Sequence, residues 1–239
     1  MSNLALFDLE EPEPTEGRDP LDRYYTPEWA TQALVDYLGY RLTGSVWDPC
    51  CGKDWGGRVI RKSPHVEGYL GTDIDPDAVG GGWSSLAWPN KTRESEGGLI
   101  PSKDPEPFGD FLKSFNRDPK VWIGAIGGHD KDGCTDGFGS PDWIVTNPPY
   151  KTGSHTATDF VRHALNLGLS VAMLLRLTWL EPCADRVDIL TEDPPTDVLI
   201  LPRVNFIGAP GSNPCTSAWL VWDRFKGRPT RTAWHRRSA

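Results

Sequence analysis

Three short segments of this 239-residue chain carry side chains with chemical use, and each follows an apolar run. The first is Asp48-Pro49-Cys50-Cys51-Gly52-Lys53-Asp54-Trp55-Gly56-Gly57, a carboxylate followed by glycine-rich backbone. Glycine lets a backbone approach a ligand closely. No Gly-x-x-x-x-Gly-Lys-Ser/Thr pattern is present, so a nucleotide phosphate cradle is not supported. The segment suits an uncharged moiety such as adenosine with an amino-acid tail, whose ammonium would donate to Asp48. The second segment, Gly71-Thr72-Asp73-Ile74-Asp75-Pro76, puts Asp73 where a carboxylate can take both hydroxyls of a ribose, with Asp75 capping the next turn. The third, Asn147-Pro148-Pro149-Tyr150, offers an amide, a proline-restricted backbone and an aromatic ring. Each segment taken alone is also compatible with a turn that merely ends a strand.

These residues need a scaffold that gathers distant segments. Strand-like runs occur at 45–47, 69–72, 121–123, 143–146, 169–175, 198–201 and 218–222. Continuous apolar runs of this kind read as strands buried on both faces. Ala30, Ala33, Leu34, Tyr37 and Leu38 recur at helical spacing, which predicts a helix over 29–38. Thr26 is its expected N-cap, Pro27 its first position and Gly39 its close. Phe160, Ala164, Leu165 and Leu167 mark a second helix. About seven strands in a βαβ rhythm predict an α/β fold: a mostly parallel sheet with helices on both faces. Ligands bind such a sheet at the carboxyl ends of its strands, so Asp48, Asp73 and Asn147 are expected along one edge. Residues 77–140 break the rhythm and read as a loop-rich insertion, with one short helix around Phe108, Phe111, Leu112 and Phe115. Residues 1–22 read as a flexible tail and 23–239 as one domain.

Bulk properties narrow the field. A net charge of -8 and a pI near 5.1 argue against a protein that coats nucleic acid non-specifically. A basic strip does close the chain: Arg224, Lys226, Arg228, Arg231, Arg236 and Arg237. It reads equally as a solvated tail or as a phosphate contact. Five cysteines without a Cys-x-x-Cys pair point away from a disulfide scaffold and toward a reducing cytoplasm. His129 and Cys134 lack a second pair at zinc spacing, so no metal is expected. No long apolar run or basic-then-apolar leader predicts a membrane span or signal peptide.

Asp48-Pro-Cys-Cys-Gly, Gly71-Thr-Asp73 and Asp142-Trp-Ile-Val-Thr-Asn147-Pro-Pro-Tyr150, in this order, resemble the class I S-adenosylmethionine-dependent amino-methyltransferases. Within them the likeness is to the DNA N6-adenine family, and it covers residues from about 24 to 222. It implies a Rossmann-like class I methyltransferase fold with S-adenosylmethionine as methyl donor. Tyr25-Thr26-Pro27 resembles the family's amino-terminal motif, which helps hold the methionine part of the donor. Asp48, Cys50, Gly52 and Asp73 would line the donor site. Gly109-Asp110-Phe111-Leu112 resembles the segment whose acid binds the donor's adenine, so Asp110 is a candidate; a surface helix start is the other reading. One departure is Asp54, which stands where the family has its second loop glycine; Gly56 is the substitute expected in a longer loop.

Asn-Pro-Pro-Tyr at a strand end is specific for amino-group methylation in this family, which makes Asn147, Pro148, Pro149 and Tyr150 the catalytic set. An exocyclic amine is a poor nucleophile because its lone pair is delocalised into the ring. Two acceptors aimed at the amino hydrogens, the Asn147 oxygen and the Pro148 carbonyl, partly localise it. Tyr150 offers a ring for a flipped-out base. The resemblance also makes Phe206 a partner of Tyr150 in the base pocket. Arg176 and Arg203 would contact phosphate, or else form structural salt bridges. Lys151–Thr158 reads as a polar segment that closes over substrate. The expected substrate is N6 of adenine in DNA. Cytosine N4, RNA, a protein glutamine and a non-catalytic binding role share the same core. Asn3-Leu4-Ala5-Leu6-Phe7 resembles the peptide that docks bacterial replication proteins on the sliding clamp, with Asn in place of the usual Gln. The absence of a separate recognition domain resembles compact phage or mobile-element enzymes.

Overall fold

The computed structural model describes residues 24–75, 84–88, 99–101, 111–113, 141–207, 215–224 and 230–235. The clamp-like peptide, His129, Cys134, Asp110 and the expected strand at 121–123 lie outside the described residues.

The centre of the sheet is parallel, as expected for an α/β chain. Strand β1 (Gly44–Asp48) pairs with β2 (Val66–Gly71) on one side and with β5 (Trp143–Thr146) on the other. Strand β8 (Ser170–Arg176) continues beyond β5, again parallel. Next come β10 (Ser217–Trp222), antiparallel to both neighbours, then β9 (Asp197–Ile200) and β11 (Arg231–Trp234). Beyond β2, strands β3 (Ser84–Trp88) and β4 (Leu99–Pro101) add antiparallel pairs. Among the described residues the order is therefore β11-β9-β10-β8-β5-β1-β2-β3-β4, nine strands where the apolar runs suggest about seven. The extra strands come from inside the 77–140 insertion and from the carboxyl end. Neither stretch has the apolar continuity that marks a strand buried on both faces. A small separate hairpin joins β6 (Lys151–Thr152) to β7 (His155–Thr156), directly after the Asn-Pro-Pro-Tyr segment.

The strand residues alternate between two apolar clusters, as a period of two requires, except at the register shift in β2, where Val66 and Tyr69 share one cluster. Val46, Tyr69, Val145, Leu174 and Trp219 face helix α1 (Glu28–Leu38) and helix α2 (Trp55–Ile60). Trp47, Leu70, Ile144, Met173 and Leu220 face helix α3 (Ala157–Asn166) and helix α4 (Val187–Glu192). Helices thus cover both faces. Helix α1 covers the expected 29–38 and adds Glu28; its N-cap is Pro27, in extended conformation, one residue after the expected Thr26, and Gly39 closes the helix at φ +54°. Thr156 opens α3 with a capping box to Asp159. Trp219 Nε1 donates to the Ala30 carbonyl at 2.8 Å, which ties the middle of β10 to α1. Among the described residues no helix is long and apolar enough to cross a membrane.

Candidate active site

The chain leaves β1 toward β2 on one side and later returns as β5 on the other. That topology opens a crevice at the carboxyl ends of β1 and β5. A cavity of about 150 Å³ lies there, and Asp48, Asp73 and Asn147 all line it. The three expected strand ends therefore do meet at one site.

Asp48 is buried at the end of β1. Its Oδ1 accepts a hydrogen bond from Thr146 Oγ1 at 2.7 Å and from the Cys50 N–H at 3.2 Å. Burial outweighs these bonds and pushes its pKa from 3.8 up to about 7. Asp73 Oδ2 accepts from the Gly52 N–H at 2.8 Å, and Oδ1 accepts from the Asp75 N–H at 2.9 Å. Asp73 is thus the residue that caps the turn, through the Asp75 amide. It also fastens the glycine loop to the end of β2. Burial raises its pKa to about 6, against the lowering effect of these amides.

The loop between β1 and α2 turns through two left-handed residues, Gly52 at φ +53° and Asp54 at φ +61°. This corrects the expectation for the family's second glycine. Gly56 does not replace it; Asp54 adopts the required conformation itself, which Asp does more readily than most side chains. The Asp54 carboxylate is buried and paired with Arg61, whose Nη1 donates at 3.1 Å. Gly56 has another use: a Cβ there would meet Thr31 Oγ1 at 3.2 Å, so its absence lets the loop pack on α1. A Cβ on Gly52 would lie 2.6 Å from the Tyr25 ring. Tyr25 and Thr26 line the cavity, while Pro27 caps α1 beside it. The Tyr25 backbone pairs with Ile207 in both directions, at 3.0 and 2.9 Å, which pins this segment to the loop after β9.

Asn147 Nδ2 donates to the Tyr24 carbonyl at 2.9 Å. Its Oδ1 is buried at the cavity and has no hydrogen-bond partner in the protein. The amide orientation is set by the first contact, so the acceptor is left facing the cavity. Pro149 lines the cavity; Pro148 is buried, and Tyr150 is half-buried against the second cluster. The Tyr150 ring does not line the cavity, and the guanidinium carbon of Arg176 sits 4.8 Å from its centroid.

Phe206 is placed differently from its expected role. It is buried in the first cluster, packed with the residues of α1, and is not part of the cavity wall. Arg203 is exposed past the end of β9, at the Asn147 edge. The described part of the basic strip lies at the opposite edge. Arg224 follows antiparallel β10, where its N–H donates to Ser170 Oγ, and Arg231 starts β11 beside Asp197.

Several wall residues are the apolar neighbours of the polar candidates. Ile74, 42% exposed, and the pair Phe111 and Leu112 supply apolar surface. Phe111 is buried edge-on to Trp47 at 5.1 Å and stacked on Phe160 at 5.7 Å, so the segment next to Asp110 does reach the cavity. Ile74 could have been suspected from its place directly after Asp73, and Thr146 from its place directly before Asn147. The Tyr24 carbonyl, being backbone, leaves no trace in residue type.

No protein-family model matches the sequence, and no relative is found by sequence among curated proteins. The backbone is similar to a structure described as a class I S-adenosylmethionine-dependent methyltransferase from Listeria monocytogenes. The TM-score is 0.50 at 12% identity, over 89% of this chain and 67% of that one. Type I restriction-modification subunits from Vibrio vulnificus and Streptococcus thermophilus align at TM-scores of 0.46, with 19% and 18% identity over 87% and 82% of this chain. The chain spans 45% and 44% of those two proteins, less than half of each. At such identities the likeness is one of fold, and the fold is the Rossmann-like class I methyltransferase fold.

Proposed function

We propose that the chain transfers a methyl group from S-adenosylmethionine to an exocyclic amino group of a nucleobase, N6 of adenine in DNA. The observation that carries this reading is the Asn147 side chain. A buried amide oxygen without a partner costs about 1–3 kcal/mol, so a ligand that donates to it is favoured. An amino group on a flat ring is such a ligand.

The residues present fit the donor. Gly52 and Gly56 line the cavity, and Asp48 and Asp73 offer acceptors for an ammonium and a ribose. Ile74, Phe111 and Leu112 give the apolar surface that a purine needs. When bound, S-adenosylmethionine supplies an electrophilic methyl group on a sulfonium.

The chain's own part is orientation and polarisation. Asn147 Oδ1 accepts one amino hydrogen and the Pro148 carbonyl the other, which draws the lone pair out of the ring toward the methyl group. Pro148 and Pro149 restrict the loop, so both acceptors need little reorganisation. Holding the amine in line converts a two-body encounter into an ordered step. No strong base is required, because methylation itself acidifies the attacking nitrogen, and its proton passes to solvent.

DNA is the polymer that the Asn-Pro-Pro-Tyr resemblance implies. The test is methyl transfer from labelled S-adenosylmethionine to duplex DNA, single-stranded DNA, RNA and protein, followed by nucleoside mass spectrometry. N6-methyladenine in DNA is expected. Its absence from DNA, with product in RNA, cytosine N4 or glutamine, overturns the choice of substrate. No binding of S-adenosylmethionine at millimolar concentration overturns the enzyme reading itself.

A further inference from the structure

The Tyr150 ring, which the Asn-Pro-Pro-Tyr resemblance offers to a flipped-out base, is already in use. The Arg176 guanidinium carbon lies 4.8 Å from the Tyr150 ring centroid. Stacked aromatic pairs keep their centroids about 4.5–7 Å apart, so a base stacked there and this guanidinium claim the same volume. Arg176 is the last residue of β8; the six strand residues before it are buried, and Arg176 itself is exposed. Among the described residues no carboxylate lies within salt-bridge distance of it. The cation is therefore held over the ring by the ring.

Guanidinium is suited to both of two successive positions. It is planar and weakly hydrated, so it stacks on aromatic faces, and its fork matches phosphate oxygens. A cation–π contact at an exposed position is weak. A base-on-ring stack together with a charge-assisted bond to phosphate is stronger. The exchange therefore runs forward when a nucleotide of a polymer arrives, and the ring stays covered when none is present.

We infer that Arg176 is a displaceable placeholder on Tyr150, which yields the ring to the target base and moves to a phosphate of the same strand. This rests on the nucleobase methyltransferase reading above and deepens it. The consequence is a selectivity filter. A free nucleoside must displace Arg176 and offers it nothing in return, whereas a nucleotide within a strand supplies the phosphate.

The filter has an unusual signature, because removing Arg176 acts in opposite directions on two substrates. Initial rates are measured for deoxyadenosine and for genomic DNA lacking adenine methylation, with wild type, R176A and R176K. In R176A, KM for deoxyadenosine falls about two- to fivefold, the ratio that an exposed cation–π contact corresponds to. KM for DNA rises, and its logarithmic dependence on salt flattens by about one phosphate contact. R176K keeps the salt dependence and loses the planar stack, so only its deoxyadenosine KM falls. Affinity for S-adenosylmethionine is unchanged in both variants, since Arg176 does not line the cavity. If R176A weakens both substrates together, Arg176 merely supports Tyr150 and the inference fails. An unchanged salt dependence in R176A also overturns it. A wild-type protein that methylates no nucleic acid overturns the underlying reading instead, which the wild-type arm alone reveals.

Discussion

The side-chain amide of Asn147 is held by the backbone carbonyl of Tyr24, 123 residues earlier in the chain. This contact joins the segment before α1 to the end of β5. It also decides which way the amide points, because only Nδ2 can donate to a carbonyl. The acceptor atom in the cavity is therefore oriented by the backbone of a residue far away in sequence, at the wall of the same cavity.

Asn147→Ala removes that acceptor and is expected to lower methyl transfer by about 10²–10³-fold, the usual cost of losing one transition-state hydrogen bond. S-adenosylmethionine affinity, measured by calorimetry, is expected to stay within about threefold, since Asp48 and Asp73 are untouched. Equal loss of rate and affinity would falsify the assignment of Asn147 to the amine.

Donor affinity is expected to depend on pH through Asp48. Its pKa of about 7 leaves the carboxyl largely protonated at pH 6 in the free protein, and only the carboxylate attracts an ammonium. Affinity should tighten as pH rises from 5.5 to 7, by at most about tenfold per pH unit. Asp48→Asn should bind more weakly and lose this dependence. The stability of the ligand-free protein moves the other way. The folded-state pKa is raised above the ordinary 3.8, so the contribution is fully present below about pH 4 and is lost as pH rises through about 7. Thermal melts across that window check the sign: a free protein that gains stability from pH 5 to 7 would contradict the burial of Asp48.

Gly52→Ala tests the loop. A side chain at φ +53° costs about 1–2 kcal/mol, and its Cβ overlaps the Tyr25 ring besides. Urea titration should show that loss, and donor binding should weaken as Tyr25 is pushed aside. Adding Tyr25→Ala should then cost less in the Gly52→Ala background than in wild type. Strict additivity of the two changes would show that ring and loop do not touch.

Asp54 and Arg61 are expected to be unequal partners. Arg61→Ala leaves the Asp54 carboxylate buried without its cation, a loss of about 3–5 kcal/mol. Asp54→Gly removes the buried charge and relieves the left-handed backbone, so its cost should be clearly smaller. Chemical denaturation of the two variants side by side decides it; the reverse ranking would mean that the pair is not buried in solution.

The sequence makes the centre of this fold legible and its margins obscure, for a physical reason. Strands buried on both faces must be apolar throughout, so β1, β2, β5, β8, β9 and β10 show as continuous runs. Strands β3, β4 and β11 sit toward the sheet margins, where that demand is relaxed, and they read as loop. The strand ends were legible as well, since Asp48, Asp73 and Asn147 line one cavity. Phe206 was not. An apolar residue near a site has the same spelling whether it faces ligand or core, and here it completes the core beneath α1. Asp54 showed only as a missing glycine, because sequence records the residue and not its φ.

The sheet divides the apolar interior into two clusters separated by its own backbone. Tyr24, whose backbone orients the Asn147 amide, rests on one cluster; Tyr150, Cys50 of the glycine loop and the wall residues Phe111 and Leu112 rest on the other. The aim of the amide and the apolar wall beside it therefore stand on different foundations. Re-packing beneath α1 bears on the first, and re-packing beneath α3 bears on the second. For an engineer, that makes the angle of the acceptor and the shape of the wall two separate dials on one small protein.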